Sequence, residues 1–156
     1  MDLLLWRHAE AHDLAEIGGD LQRSLTTRGH LQAQRVARWL STHIDPAARI
    51  LVSPALRTQQ TVQALTRDYE TLTELAPGCT PRDIIRLTEW PKNAGMTLIV
   101  GHQPTLGHLA SLLLTGHEAE WGVKKGGLWW FNTRAYDGVR QTVLRAVVSP
   151  DLLDDE

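Results

Sequence analysis

Four short apolar runs punctuate the chain, at Asp2–Trp6, Arg49–Ser53, Tyr69–Glu74 and Met96–Val100. Runs of this length without polar alternation fit strands covered on both faces. Threonines and acidic positions dilute the third run. The stretches between them change period. Across 29–44, Ala33, Val36, Ala37, Leu40 and Ile44 recur at the spacing of one helix face. Thr80-Pro81-Arg82-Asp83 reads as an N-cap, a first-turn proline and an acidic third position, opening a helix towards Trp90. Leu106, Leu109, Ala110 and Leu113 mark another helix after Pro104. Near the end, 127–133 and 139–148 flank Tyr136-Asp137-Gly138 and predict an antiparallel hairpin. Strands alternating with helices imply a three-layer α/β/α fold around a mainly parallel sheet, with the C-terminal hairpin closing one side.

Composition narrows the class. A length of 156 residues fits a single domain over 1–156 with its own core. Hydrophobic residues at 42%, charged ones at 22% and a net charge of −2 give no global pull towards nucleic acid or an anionic membrane. The six tryptophans are expected to serve packing. The lone Cys79 cannot form an internal disulfide, and the Leu3-Leu4-Leu5-Trp6 run stops at Arg7, too short for a signal-peptide core. Nor does any apolar run approach the roughly 20 residues of a membrane span. The expectation is a cytoplasmic protein, a monomer or weak oligomer, with no nucleic acid and no membrane among its partners.

Candidate chemistry gathers where strands stop. The first run passes into Arg7-His8, the second into Ser53-Pro54 with Arg57 one turn on, and the fourth into Gly101-His102. In open parallel sheets, ligands bind in the crevice beyond the carboxyl ends of the strands, so two arginines and two histidines should converge there. These residue types suit a phosphoryl group. Arginine's planar fork pairs with phosphate oxygens, and a neutral imidazole attacks phosphorus once its other nitrogen is held. Phosphoryl transfer then depends on positioning and on neutralising the equatorial oxygens.

The same segments carry a resemblance. Arg7-His8-Ala9-Glu10-Ala11 resembles the RHG-type motif of the histidine phosphatase superfamily, in the form found among SixA-type phosphohistidine phosphatases. Arg23-Ser24-Leu25-Thr26-Thr27-Arg28-Gly29 is similar to its R-P-L-T-x-x-G segment, and 53–61 to its S-P-x-x-R-x-x-Q-T signature. Leu75-Ala76-Pro77-Gly78 and Val100-Gly101-His102-Gln103-Pro104 complete the order. Ala9 stands where the parent motif has glycine. The resemblance spans nearly the whole chain, to Ser149-Pro150, and implies a phosphoglycerate mutase-like fold.

Carried over position by position, the resemblance implies His8 as the nucleophile that becomes phosphorylated. Arg7, Arg57 and His102 would hold the phosphoryl oxygens, Arg23 would stand at the mouth, and Glu74 lies near the place of an acidic proton donor. No cofactor is implied. The expected substrate is phosphohistidine on a partner protein; small phosphomonoesters are the enzymatic alternative, and an idle phosphoprotein-binding module a third reading. A metal reading of His8, Glu10, His12 and Asp13, or of His102 and His108, lacks the H-E-x-x-H pattern, and two arginines would repel a cation from the same crevice. The Gly18-Gly19 and Gly126-Gly127 pairs are expected to mark bends or mobile loops rather than phosphate cradles.

Overall fold

The computed structural model describes residues 1–154, so the last two positions of the domain expected over 1–156 lie outside the described residues. Six strands form one sheet: β1 (Asp2–Arg7), β2 (Arg49–Val52), β3 (Glu70–Thr71), β4 (Met96–Gly101), β5 (Leu128–Tyr136) and β6 (Val139–Val148). Their order is β3-β2-β4-β1-β5-β6, with β3, β2, β4 and β1 parallel and β5 and β6 antiparallel at one side. Among the described residues, four α-helices connect them: α1 (Thr27–Ser41), α2 (Leu56–Gln63), α3 (Pro81–Thr88) and α4 (Thr105–Thr115).

The unbroken apolar run of β1 follows from burial on both faces. Leu4 and Trp6 join Val36, Leu40, Val62 and Val100 on the side of α1 and α2. Leu3 and Leu5 face the other way, onto Ile84, Leu106 and Leu109 of α3 and α4. All four β1 residues are inaccessible to solvent. Trp6 also donates its indole N–H to the Gly126 carbonyl at 3.0 Å, as a buried tryptophan must find a partner.

Local signals fix the helix ends. Thr80 and Asp83 form a reciprocal capping box around Pro81 at the start of α3. Helix α1 begins two residues before the predicted point because the Thr26 hydroxyl accepts from the Gly29 N–H at 3.0 Å. Asp137 and Gly138, at φ 50° and 77°, make the two-residue hairpin turn, and β5 runs on to Tyr136 instead of stopping at Thr133.

The third predicted strand needs correction. Only Glu70–Thr71 pairs with β2, and Thr73–Leu75 turn into a 3₁₀ helix. Leu72 and Leu75 both pack into the α3–α4 side of the core, and a spacing of three suits a helical turn rather than a pleat.

The chain leaves β1 for α1 and β2 on one side, and leaves β4 for α4 and β5 on the other. The carboxyl ends of β1 and β4 are therefore neighbours at a point where the winding reverses, which is where α/β sheets open a crevice. Among the described residues, no helix is long and apolar enough to cross a membrane.

Candidate active site

His8 follows β1 directly, and its backbone is tied on both sides. Its N–H donates to the Gly101 carbonyl at 3.1 Å, and its own carbonyl accepts from Gly126 at 3.0 Å. The glycine pair thus forms a bend, as expected, with Gly126 at φ 73° backing the end of β1. Ala9 N–H donates to the Thr61 hydroxyl at 3.0 Å, and that hydroxyl donates to the Arg57 carbonyl at 2.7 Å. One threonine therefore joins the loop after β1 to helix α2.

The ring of His8 has an assigned direction. Its Nδ1 lies 2.7 Å from the Ala9 carbonyl, which can only accept, so Nδ1 carries the proton and Nε2 keeps its lone pair. Burial pushes the pKa of His8 down to about 4; the hydrogen bond to Ala9 opposes this, and the charges of Arg57, Arg7 and Arg23 add to the fall. At neutral pH the imidazole is uncharged, the form that can act as a nucleophile.

His102 follows β4, its ring centroid 5.4 Å from that of His8. The Ser53 hydroxyl accepts from the Ala55 N–H at 3.2 Å and lies 2.7 Å from His102 Nε2, and donating its own proton there satisfies the buried hydroxyl. The proton of His102 then sits on Nδ1, and burial, with the charges of Arg57 and His8, lowers its pKa to about 3.

Arginines frame the two rings. Arg7 Nη1 donates to the Val123 carbonyl at 2.7 Å. The side chain of Arg57 is only 4% exposed, and its terminal nitrogens donate to the Asp20 carbonyl at 2.9 Å and the Asp20 carboxylate at 3.1 Å. Asp20 also takes Arg23 Nε at 2.9 Å. Burial alone would raise the pKa of Asp20, but the bonds from Arg23 and Arg57 hold it below the usual carboxylate range.

Among the described residues, three buried side-chain nitrogens have no partner: Arg7 Nε, Arg57 Nε and His102 Nδ1. Buried donors are normally satisfied, so an orphan needs a cause. All three belong to residues lining one cavity of about 190 Å³, together with His8 and Arg23. Two guanidiniums and a second imidazole lining one small cavity with a neutral imidazole give it the chemistry to hold a small oxyanion. Wider hollows of about 590 Å³ beside α1 and around Trp39 and Trp130 include none of these orphaned donors.

The cavity thus gathers Arg7, His8, Arg23, Arg57 and His102. It does not gather Glu74, which is exposed on the 3₁₀ turn with its carboxylate bonded to the Thr73 hydroxyl at 2.9 Å. Asp13, weighed in the sequence only as a metal ligand, also lines the cavity, as do Gln103 and Lys125, which the sequence reading did not single out. Gln103 had a signal, since it lies inside a matched motif. Its side chain is a brace: Oε1 accepts from Gly107 and Nε2 donates to the Trp121 carbonyl. No group of three or more His, Cys, Asp or Glu side chains among the described residues is placed to hold a metal ion.

Residues 3–90 match the histidine phosphatase superfamily (branch 1). A phosphohistidine phosphatase SixA homolog of Haemophilus influenzae is 34% identical over 128 residues, covering 72% of this chain and 77% of the relative. Phosphohistidine phosphatase SixA of Escherichia coli is 30% identical over 126 residues, covering 74% and 76%. The solved structure of the protein histidine phosphatase SixA complexed with tungstate superposes with a TM-score of 0.74 at 25% identity, covering 97% of this chain and 99% of that one. Sequence, fold and relatives agree: the chain belongs to the histidine phosphatase superfamily and is of its SixA type.

Proposed function

We propose that this chain is a single-domain phosphatase that works through a phosphohistidine on His8 and acts on phosphohistidine carried by a partner protein. The observation that carries the reading is one small cavity lined by the neutral His8 ring together with Arg7, Arg57 and His102, each of which holds a buried nitrogen without a partner. The relatives named phosphohistidine phosphatase, and the tungstate held by one of them, support it.

The chemistry follows from the geometry. The lone pair on His8 Nε2 forms a bond to phosphorus while the P–N bond to the substrate imidazole breaks. That electron pair stays on the departing ring, which takes a proton. Arg7, Arg57 and His102 donate to the equatorial oxygens and offset the charge spread over them. A water oxygen then attacks phosphorus, the His8 N–P bond breaks, and inorganic phosphate leaves with the pair returned to Nε2.

Two features favour a protein substrate. The cavity, about 190 Å³, is smaller than the roughly 300–1,000 Å³ of pockets that enclose drug-sized ligands, so the body of the substrate stays outside. Among the described residues, Asp13 is the sole carboxylate lining it. An alkoxide needs a positioned acid to leave, whereas an imidazole departs readily once its ring is protonated. Asp13 is also the carboxylate on which the small-ester reading would have to rest.

The test compares kcat/KM for a phosphohistidine domain with that for sugar and alkyl phosphates, alongside His8→Ala. The protein substrate should win, and His8→Ala should abolish turnover and the labelled phosphoenzyme. A small ester preferred by about tenfold, or 1.4 kcal/mol of transition-state binding, would sink the protein-substrate reading. Near-normal turnover by His8→Ala would sink the intermediate.

A further inference from the structure

Asp20 lies in the loop between β1 and α1, on a 3₁₀ turn that spans Asp20–Gln22. That loop is pinned at its base by the isolated bridge between Ala11 and Leu25 and by the His12 N–H on the Ser24 carbonyl. Its apex reaches across to α2. There Asp20 presents two acceptors to one guanidinium, its backbone carbonyl to Arg57 Nη1 and its carboxylate to Arg57 Nη2. The other carboxylate oxygen takes Arg23 Nε. Asp20 is 57% exposed while Arg57 is 4% exposed, so a surface carboxylate reaches inward to a buried cation.

A guanidinium has an end edge, made by Nη1 and Nη2, and a side edge, made by Nε and Nη2. Asp20 fills the end edge. The Nε of the side edge is buried and unpartnered. A planar fork held along one edge cannot rotate about its last torsions, and its free edge then has a fixed direction. Arg57 needs such a device, because its Nε has no protein partner of its own and burial penalises its charge.

We propose that Asp20 is a positioning residue: by clamping the end edge of Arg57, it fixes the guanidinium in the wall of the cavity that holds His8. The inference rests on the phosphoryl-binding role given to Arg57 above. It also accounts for Arg23 at the rim, since one carboxylate fixes both arginines. Asp20 itself touches no reacting atom; it acts through Arg57.

The experiment uses the full-length chain and reads the anion cavity separately from turnover. Orthovanadate affinity, kcat and KM are measured for Asp20→Ala, Asp20→Asn, Arg57→Ala and the Asp20→Ala/Arg57→Ala pair. Asp20→Ala should weaken orthovanadate by about tenfold or more, the scale of one charge-assisted hydrogen bond, and lower kcat more than it raises KM. Asp20→Asn keeps one oxygen acceptor, enough for Arg57 Nη2 but not for Arg23 Nε as well, and should recover to within about threefold of the parent if the Arg57 contact is the one that matters. In the Arg57→Ala background, Asp20→Ala should add no more than about twofold, the mark of two residues acting as a unit. Unchanged orthovanadate affinity in Asp20→Ala would overturn the proposal, as would losses that add in full. Tighter binding would also overturn it, by making the carboxylate a competitor for the site. If the parent binds orthovanadate but hydrolyses no phosphohistidine protein, the proposed function fails while the positioning role is still decided by anion affinity.

Discussion

Acidifying the substrate-free protein from pH 7 to pH 5 should draw stability out of the active site itself. His8 has a folded pKa of about 4 and His102 of about 3, against an ordinary value of 6.5. Both are depressed, chiefly by burial, so the folded ring stays neutral while the unfolded chain gains a proton. The stability at stake is therefore fully present above pH 6.5 and is lost as pH falls towards the folded values. At pH 5 the linkage relation gives roughly 2 kcal/mol for each ring, hence roughly 4 kcal/mol for the pair. Total stabilities are only about 5–15 kcal/mol, so the effect is large. In a chain of this size each kcal/mol moves Tm by about 2–4 °C, which sets the expected drop at roughly 8–16 °C. Thermal unfolding of the parent, His8→Asn and His102→Asn at pH 7 and pH 5, at constant ionic strength, is the assay. Carboxylate contributions are common to all three and cancel in the comparison. Each variant should lose about half of the parent's excess pH dependence. If both variants fall as steeply as the parent, the rings are not held neutral by their burial and the reasoning is wrong.

Three further outcomes follow from the same geometry. Ser53→Ala removes the donor to His102 Nε2 and strands the Ala55 N–H, and should cost about 1–3 kcal/mol of stability. Nitrogen NMR should then show His102 no longer holding its proton on Nδ1, and an unchanged tautomer would refute the network. Glu74→Gln should leave both N–P and ester cleavage within about twofold, as exposed substitutions usually do, because Glu74 stands outside the cavity. A selective loss of ester cleavage would make it the proton donor after all. Turnover should survive exhaustive chelation and be blocked by orthovanadate, since in the proposed mechanism the arginines neutralise the phosphoryl oxygens; activity lost on chelation and restored by zinc would reverse this.

The strand-end residues were readable because burial writes itself into sequence as an apolar run, and a run that stops at Arg7-His8 or Gly101-His102 marks a sheet end. Arg57 and Ser53 came with the same boundary. Asp20 left no such trace. Its partner is chosen by the path of an irregular loop with no period, held by the Ala11–Leu25 bridge and the bond from His12 to Ser24. Lys125 was equally silent, and Asp13 was weighed only as a metal ligand, both being exposed charges whose significance is only spatial. The overlong third strand has a different cause. Its threonines and acidic residues carry no clear period, and only the packing of Leu72 with Leu75 reveals the turn that carries Glu74 away.

The hairpin has an architectural consequence. Asp2 at the start of β1 pairs with Asn132, so Arg134–Tyr136 and Val139–Gln141 pair only with one another and project past the sheet. They do so at the end opposite His8, which follows the last residue of β1. Lengthening a loop costs little once its ends are already held together. The Asp137-Gly138 turn is therefore a natural graft point, where an affinity handle, a fluorescent reporter or a relocated chain break could be placed without reaching the chemistry.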